Sequence, residues 1–234
     1  MCVIAIYEGI YVPNLKDIKS MVAANPDGVG VAWNDGERVH FRKGLETAEQ
    51  VMDIYKAIKD EALAFIVHCR IATSGGVSAS KCHPFPITIH NQFLNTISYD
   101  GRTPCAIHNG VFDIDVENGL NDTQTLVKKV IAPVYRADPK GFERGRYGEV
   151  VKMATKGSRF AIMYPSHIEI FGRWNERDGV LFSNLLWTYA TVWRDTSKYG
   201  WHTTADGRKY YGLPPAHSYK VDNTLVEEGC GYDY

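Results

Sequence analysis

The sequence has no apolar run long enough to cross a membrane, which takes about 18 residues. Its longest apolar runs, VIAI and ALAFIV, are the size of strands. No basic segment precedes the first of them, which argues against a secretory signal. The charge is almost balanced, with 26 basic and 27 acidic side chains. We therefore expect a cytoplasmic protein with neither nucleic acid nor a membrane as its partner.

Cysteine is also scarce, and its placement excludes two common uses. The five cysteines form no CxxC pair, and their odd number does not suit a disulfide framework. Histidines stand near two of them, but the spacing matches no standard zinc pattern and neighbouring strand residues point to opposite faces. We expect neither a metal nor a cofactor. The cysteines are Cys2, Cys69, Cys82, Cys105 and Cys230.

Short apolar runs separated by turn residues predict many strands and a few helices, which is an α+β fold. The run in ALAFIVHCRIAT predicts a strand that is buried on both faces. Further strands are expected at 94–99 and 104–108, on either side of a YDGRT turn. Helices are expected at 46–60, capped by Thr47, and near 123–132 and 142–155. The predicted domain covers residues 1–190, and residues 191–234 form an aromatic-rich, irregular extension packed on it.

The first residues, MCVIAIYEG, place a cysteine directly after the initiator methionine. Cys2 is either a small apolar residue of the first strand or a residue meant to become the amino terminus. In the second case, removal of Met1 leaves a thiol and a free α-amine on one residue. That pair supplies both a nucleophile and a base.

Three predicted loops at strand ends hold the other candidate residues: HCRIATSGG (68–76), KCHPF (81–85) and HNG (108–110). Arg70 suits either a structural ion pair or the carboxylate of a ligand. Asn109 and Gly110 form either an ordinary turn or a pair of N–H donors for an oxyanion. His83 is expected to order the site through hydrogen bonds.

Two further residues have both a structural and a functional interpretation. Asp122, in the sequence NDT, either caps the following helix or offers a carboxylate to a cation. Thr73 is either a strand-end hydroxyl or a ligand contact. None of these signals is specific by itself, and their order along the chain carries the argument.

That order is a terminal Cys, R-x-x-T-x-G, HPF, HNG and an Asp before a helix. It resembles the class II glutamine amidotransferases, which are N-terminal nucleophile (Ntn) hydrolases, and most of all their compact stand-alone members. The resemblance covers about residues 2–185. It implies an αββα sandwich of two antiparallel sheets, with the runs RFAIMYP, HIEIFG and GVLFSN in the second sheet.

The resemblance also implies a role for each matching residue. The nucleophile is a cysteine, the oxyanion hole comes from the Asn-Gly pair, and charged side chains hold the two ends of the glutamine zwitterion. The implied catalytic residues are Cys2, Asn109 and Gly110, and the implied substrate-binding residues are Arg70, Thr73, His83 and Asp122. Thr73 would assist at the carboxylate end, whereas Asp122 would bind the α-ammonium group.

The sequence departs from the family pattern near the substrate. Larger members have an arginine and a glycine-rich stretch near the position of NPDGVGVAW, which here has Asp27 and no arginine. Ser74 stands where some relatives have histidine. Lys81 and Cys82 replace a pair that often contains asparagine. The departures affect the expected substrate preference more than the hydrolytic centre.

The expected activity is hydrolysis of the glutamine side-chain amide through a Cys2 thioester, with release of ammonia. Residues 191–234 are too few for an acceptor domain, so a synthetase on another chain is one expected partner. Two alternatives stay open: an Ntn amidohydrolase for another γ-glutamyl or amide substrate, and a binding module without activity.

Overall fold

The computed structural model describes residues 1–72 and 76–189, and the backbone of two strands at 200–203 and 209–212. The chain divides into two compact units, Met1–Thr191 and Val192–Tyr234. The described part of the second unit is one antiparallel hairpin. Irregular structure was expected throughout 191–234, and the hairpin departs from this expectation. Its sequence signal is an Asp-Gly dipeptide between two stretches rich in aromatic residues.

The strands are β1 (Val3–Glu8), β2 (Val29–Asn34), β3 (Val39–Leu45), β4 (Ala64–Cys69), β5 (Phe85–Pro86), β6 (Ser98–Gly101), β7 (Cys105–Asn109), β8 (Arg159–Met163), β9 (Ile168–Phe171), β10 (Asn175–Arg177), β11 (Val180–Phe182), β12 (Gly200–Thr203) and β13 (Lys209–Gly212). The helices are α1 (Leu15–Ala24), α2 (Ala48–Ile58), α3 (Asn91–Leu94), α4 (Asp122–Leu126), α5 (Ala132–Ala137), α6 (Pro139–Glu143) and α7 (Gly148–Ala154). A π-helical turn, Val127–Ile131, joins α4 to α5, and 3₁₀ turns lie at Ala79–Lys81 and Leu186–Tyr189.

The first unit contains two antiparallel sheets. The large sheet has the order β10-β11-β1-β4-β2-β3-β6, and the small one has the order β5-β7-β8-β9. Strands β1 and β4 lie inside the large sheet, and β4 is buried along its whole length. This is the burial that its continuous apolar run predicts.

Alternation of side chains along the strands divides the apolar interior into three layers. Ala5 of β1 belongs to the layer between the large sheet and helices α1 and α2. Ile4 and Ile6 belong to the layer between the two sheets, where they meet Ile107 of β7. The opposite face of the small sheet packs on the helices after residue 120. The unit is therefore an αββα sandwich.

Several predicted elements are confirmed and others are wrong. The helix at 46–60 forms as α2 with a capping box between Thr47 and Gln50. The strand expected at 104–108 forms as β7, in the small sheet, whereas β6 pairs with β3 in the large sheet. The single helix near 142–155 is interrupted and forms α6 and α7. Among the described residues, no helix is long and apolar enough to span a bilayer.

Candidate functional site

The site begins at one end of the layer between the sheets, where the apolar side chains give way to polar ones. Cys2 precedes β1 and Arg70 follows β4, and the register pairs Val3 with Cys69. Extending that register by one residue places Cys2 opposite Arg70. By the same alternation, both side chains point to the face that carries Ile4. The pairing of β1 with β4 thus brings the two residues together from distant parts of the sequence.

A small cavity of about 30 Å³ lies at this point, with room for a group the size of a water molecule. Five of the seven residues expected in the site line it. These five are Cys2, Arg70, His83, Gly110 and Asp122. Ile71, His108, Asn121 and Thr123 complete the lining. Asn109 is not among the lining residues but precedes Gly110, and Thr73 lies outside the described residues.

The thiol of Cys2 is partly buried and contacts the backbone of one residue. Its Sγ accepts a hydrogen bond from the Ile71 N–H at 3.4 Å and lies 3.5 Å from the Ile71 carbonyl oxygen, to which it can donate. Burial raises the pKa of the Cys2 thiol, against smaller opposing effects of the Ile71 N–H and the Arg70 charge. The thiol is therefore protonated near neutral pH, so a base is needed to make it a nucleophile.

Arg70 is only 4% exposed, and its backbone and side chain are both anchored. Its Nη2 donates to the carbonyl oxygen of Gly76 at 2.8 Å. Its backbone exchanges hydrogen bonds with the turn at Asp27 and Gly28. The Asp27 carboxylate accepts from the Ala72 N–H at 2.8 Å. Asp27, in the stretch that lacks the arginine, thus holds the backbone that follows Arg70.

The Asn-Gly pair ends β7, and both of its residues are constrained. A Cβ on Gly110 would collide with the Ser158 hydroxyl and would lie 2.8 Å from His108 Nε2, so the position has no room for a side chain. Asn109 is buried, and its Nδ2 donates to the Ser183 hydroxyl at 2.8 Å. That hydroxyl also accepts from the N–H of Ile4 in β1 at 2.8 Å.

Asp122 is the first residue of α4, and the cap of this helix is Asn121. Asn121 and Gln124 form a capping box, which leaves the Asp122 carboxylate for other partners. Its Oδ2 accepts from the Phe112 N–H at 2.9 Å. The Lys81 ammonium group supports the same turn, because it donates to Gln124 Oε1 at 3.1 Å.

Three buried histidines stand beside the cavity. The ring centroids of His83 and His68 are 4.3 Å apart, and those of His83 and Phe85 are 4.6 Å apart. Burial lowers the pKa of His68 and of His108 to about 3, and lowers that of His83 well below its usual value. Among the described residues the ring nitrogens of His83 have no hydrogen-bond partner, and the contacts described for its ring are with other rings. That His83 orders the site through hydrogen bonds stays a prediction.

Three residues at the site have no assigned role in the sequence interpretation. His108 Nδ1 shares a hydrogen bond with the Thr123 hydroxyl at 2.8 Å. In the sequence, His108 could have been found from its place in the motif HNG, and Thr123 from its place in NDT. Ser183 had no local signal, because it joins the site only through strand pairing. Within the described ranges, no cluster of three or more His, Cys, Asp or Glu is arranged to hold a metal ion.

No protein-family model matches the sequence, and comparison with curated proteins finds no match. Solved structures do match it. One is glutamine phosphoribosylpyrophosphate amidotransferase from B. subtilis, complexed with ADP and GMP, with 13% identity and a TM-score of 0.50 over 78% of this chain. Another is described as the allosteric regulatory enzyme of purine biosynthesis, with 16% identity and a TM-score of 0.52 over 82% of this chain.

The chain spans less than half the length of these two structures, since it covers 41% of the first and 43% of the second. At this level of identity the likeness concerns the fold and not the chemistry. It accords with a mixed α+β unit that contains two antiparallel sheets. The first unit therefore has the α+β fold of the Ntn hydrolases, as a sandwich of two antiparallel sheets.

Proposed function

We propose that this protein is a glutamine amidohydrolase of the class II amidotransferase type, with Cys2 as its nucleophile. One observation carries the proposal: Cys2, Arg70, Gly110 and Asp122 line the same cavity although they are far apart in sequence. The fold likeness to a glutamine amidotransferase supports it independently. Each of these four residues matches the resembled family's motifs in sequence, and their shared cavity supports the proposal.

The proposed reaction begins with removal of Met1, which makes the α-amine of Cys2 available. An α-amine has a pKa of about 8, so a useful fraction is unprotonated near neutral pH. It accepts the thiol proton, and the sulfur attacks the side-chain carbonyl carbon of glutamine. Asn109 Nδ2 and the Gly110 N–H donate to the resulting oxyanion. Each donor of this kind typically contributes about 3 kcal/mol to transition-state stabilisation.

The tetrahedral intermediate then collapses. The protonated α-amine gives its proton to the departing amide nitrogen, which leaves as ammonia, and a γ-glutamyl thioester stays on Cys2. Water attacks the thioester, and glutamate and the free thiol are released. Arg70 binds the α-carboxylate of the substrate and Asp122 its α-ammonium group. These contacts orient the amide toward the sulfur and so supply proximity.

Two details of the proposal concern the destination of ammonia and the identity of the amide. A synthetase on a separate chain is the proposed acceptor when ammonia is not simply released. Another γ-glutamyl compound is a second candidate substrate. The observation that favours it is the stretch NPDGVGVAW, which has Asp27 and no arginine, and in which the Asp27 carboxylate binds the backbone at Ala72.

The test measures ammonia release from L-glutamine by the wild type and by Cys2→Ala. We expect release by the wild type and none by the variant. Cys105→Ala is the matched control, because it removes a buried thiol of the inter-sheet layer away from the cavity. Intact mass is measured on each preparation and should be short by one methionine. Normal turnover by Cys2→Ala contradicts the proposal, whereas turnover of γ-glutamyl peptides alone selects the second substrate.

A further inference from the structure

Ser183 follows β11 and joins strands of the two sheets next to the cavity. Its side chain is completely buried. Its backbone N–H donates to the Ile4 carbonyl oxygen at 2.9 Å, and its hydroxyl oxygen accepts from the Ile4 N–H at 2.8 Å. The same oxygen lies 2.8 Å from Nδ2 of Asn109 at the end of β7. One hydroxyl thus connects the strand that follows Cys2 to the strand that carries the proposed oxyanion donor.

Not every hydrogen-bonding group around the Ser183 hydroxyl has a partner. When the Ile4 N–H and Asn109 Nδ2 both donate to Ser183, its two lone pairs are occupied and its own proton has no acceptor among its described contacts. Asn109 Oδ1 is also buried, and it has no donor within the described part of the chain. A buried donor and a buried acceptor are therefore both unsatisfied, which is an unfavourable arrangement.

A half-turn of the Asn109 amide about its Cβ–Cγ bond satisfies both groups. The oxygen and nitrogen of an amide have nearly the same shape, so the turn exchanges their positions without new steric demands. Oδ1 then accepts the Ser183 proton, while the Ile4 N–H still occupies one lone pair of the hydroxyl oxygen. Nδ2 moves to the place of the unsatisfied oxygen, where both of its hydrogens are free for a new acceptor.

We propose that Ser183 is a positioning residue for the oxyanion hole. Its hydroxyl donates to Asn109 Oδ1 in the reactive enzyme, so that Nδ2 and the Gly110 N–H face the developing oxyanion together. The Ile4 N–H fixes the direction of the hydroxyl, because it occupies a lone pair and leaves the proton to point toward Asn109. This inference rests on the proposed function and assigns a residue that touches neither substrate nor reacting atoms.

The first experiment compares glutaminase kinetics of the wild type and Ser183→Ala. An oxyanion donor acts in the transition state and not on the bound substrate, so kcat should fall by about tenfold while KM changes less than about twofold. Ser20→Ala is the matched control. Its hydroxyl is also buried, donates to the Lys16 carbonyl within α1 and lies in the helix layer. Its kcat should equal that of the wild type.

The second experiment separates positioning from a purely structural role. If Ser183 acts through Asn109, adding Ser183→Ala to Asn109→Ala should lower kcat no further. If Ser183→Ala does not fold, Ser183→Cys replaces it. The thiol is similar in size but a weak donor, so kcat should fall without loss of the fold.

Each outcome decides the inference. Unchanged kcat in a folded Ser183 variant overturns it while wild-type ammonia release still supports the proposed function. A fall in kcat for the double variant equal to the product of the two single effects also overturns it, because Ser183 then acts independently of Asn109. Absence of glutamine turnover in the wild type overturns both proposals. A fall in kcat at constant KM in Ser183→Ala, with no further fall when Ser183→Ala is added to Asn109→Ala, supports positioning.

Discussion

At the residue scale, the Cys2 thiol shows why the proposed chemistry needs the amino terminus. The pKa of the thiol is raised by burial, and its Sγ contacts only the backbone of Ile71 among the contacts described for it. No side chain within hydrogen-bond distance of the sulfur is described that could take its proton. The three nearby histidines have lowered pKa values and are weak bases. The absence of another described base beside the sulfur supports the α-amine of a processed Cys2 as the base of the proposed reaction.

The first prediction concerns this amine. A chain with a glutamate inserted between Met1 and Cys2 should keep its terminus, because the large residue prevents removal of methionine. Turnover of glutamine should fall by about 10²–10⁴, the usual contribution of a general base. Ammonia release and intact mass are measured on the same sample. A processed wild type and an inserted chain with equal kcat would show that the α-amine is not the base.

The second prediction concerns Arg70. Lysine cannot reproduce the paired hydrogen bonds of a guanidinium group with a carboxylate, so Arg70→Lys should raise KM for glutamine by about tenfold or more. The kcat value should change less, because the α-carboxylate is remote from the reacting carbon. Steady-state kinetics measure both. Arg38→Lys is the control, since Arg38 pairs with Asp100 on the surface. Equal KM values for the wild type and Arg70→Lys contradict the assignment.

At the element scale, the same capping box occurs at two helices, one with an exposed cap and one with its cap beside the cavity. Thr47 and Gln50 form a capping box at α2, and Asn121 and Gln124 form one at α4. The cap of α2 is exposed, whereas Asn121 is buried and lines the cavity. Asn121 also donates to the Lys81 carbonyl oxygen at 3.3 Å. The Asn121 cap therefore fixes the position of Asp122 as well as stabilising the start of α4.

The third prediction compares these two caps. Thr47→Ala and Asn121→Ala should each lower the free energy of unfolding by about 1 kcal/mol, the typical effect of losing a cap. Only Asn121→Ala should also raise KM for glutamine, because Asp122 loses its fixed position. Urea denaturation and steady-state kinetics are the measurements. An equal rise in KM for both variants, or for neither, would show that the cap does not position Asp122.

Local patterns predicted some elements well because their signals are short-range. The capping box of Thr47 and Gln50 and the apolar run of β4 are both readable within a few residues. The predicted strand at 94–99 overlaps β6 only at its last two residues, because Leu94 lies in α3 and Ile97 in a bend. The strand at 98–101 then pairs with β3, which lies far away in sequence. Periodicity shows that a strand exists but not which sheet it joins.

At the scale of the whole molecule, the site depends on the two sheets facing each other. The motifs supplied Cys2, Arg70, Gly110 and Asp122, which share the cavity. Ser183 could not be predicted, because nothing near it in sequence distinguishes it from an ordinary strand-end serine. Its importance arises from contact with Ile4 and Asn109, 179 and 74 residues away. Such contacts follow from topology and not from local sequence.

The fourth prediction concerns stability and pH, and it follows from burying three histidines at the sheet interface. Burial lowers the pKa of His68 and His108 to about 3 and lowers that of His83 well below its ordinary value. In the unfolded chain each histidine titrates near 6.5. Below that pH the unfolded state binds more protons than the folded state, so the free energy of unfolding falls as the pH falls.

Each such histidine should reduce the free energy of unfolding by about 2 kcal/mol between pH 7 and pH 5, and the loss continues toward the folded pKa values. Urea denaturation at intervals across this range measures it. His68→Gln should show a shallower dependence, since one titrating group is removed. His90→Gln removes an exposed histidine and should keep the wild-type dependence. A dependence in His68→Gln as steep as that of the wild type would mean that His68 takes up its proton equally in the folded and unfolded chains, so that burial does not keep this ring neutral.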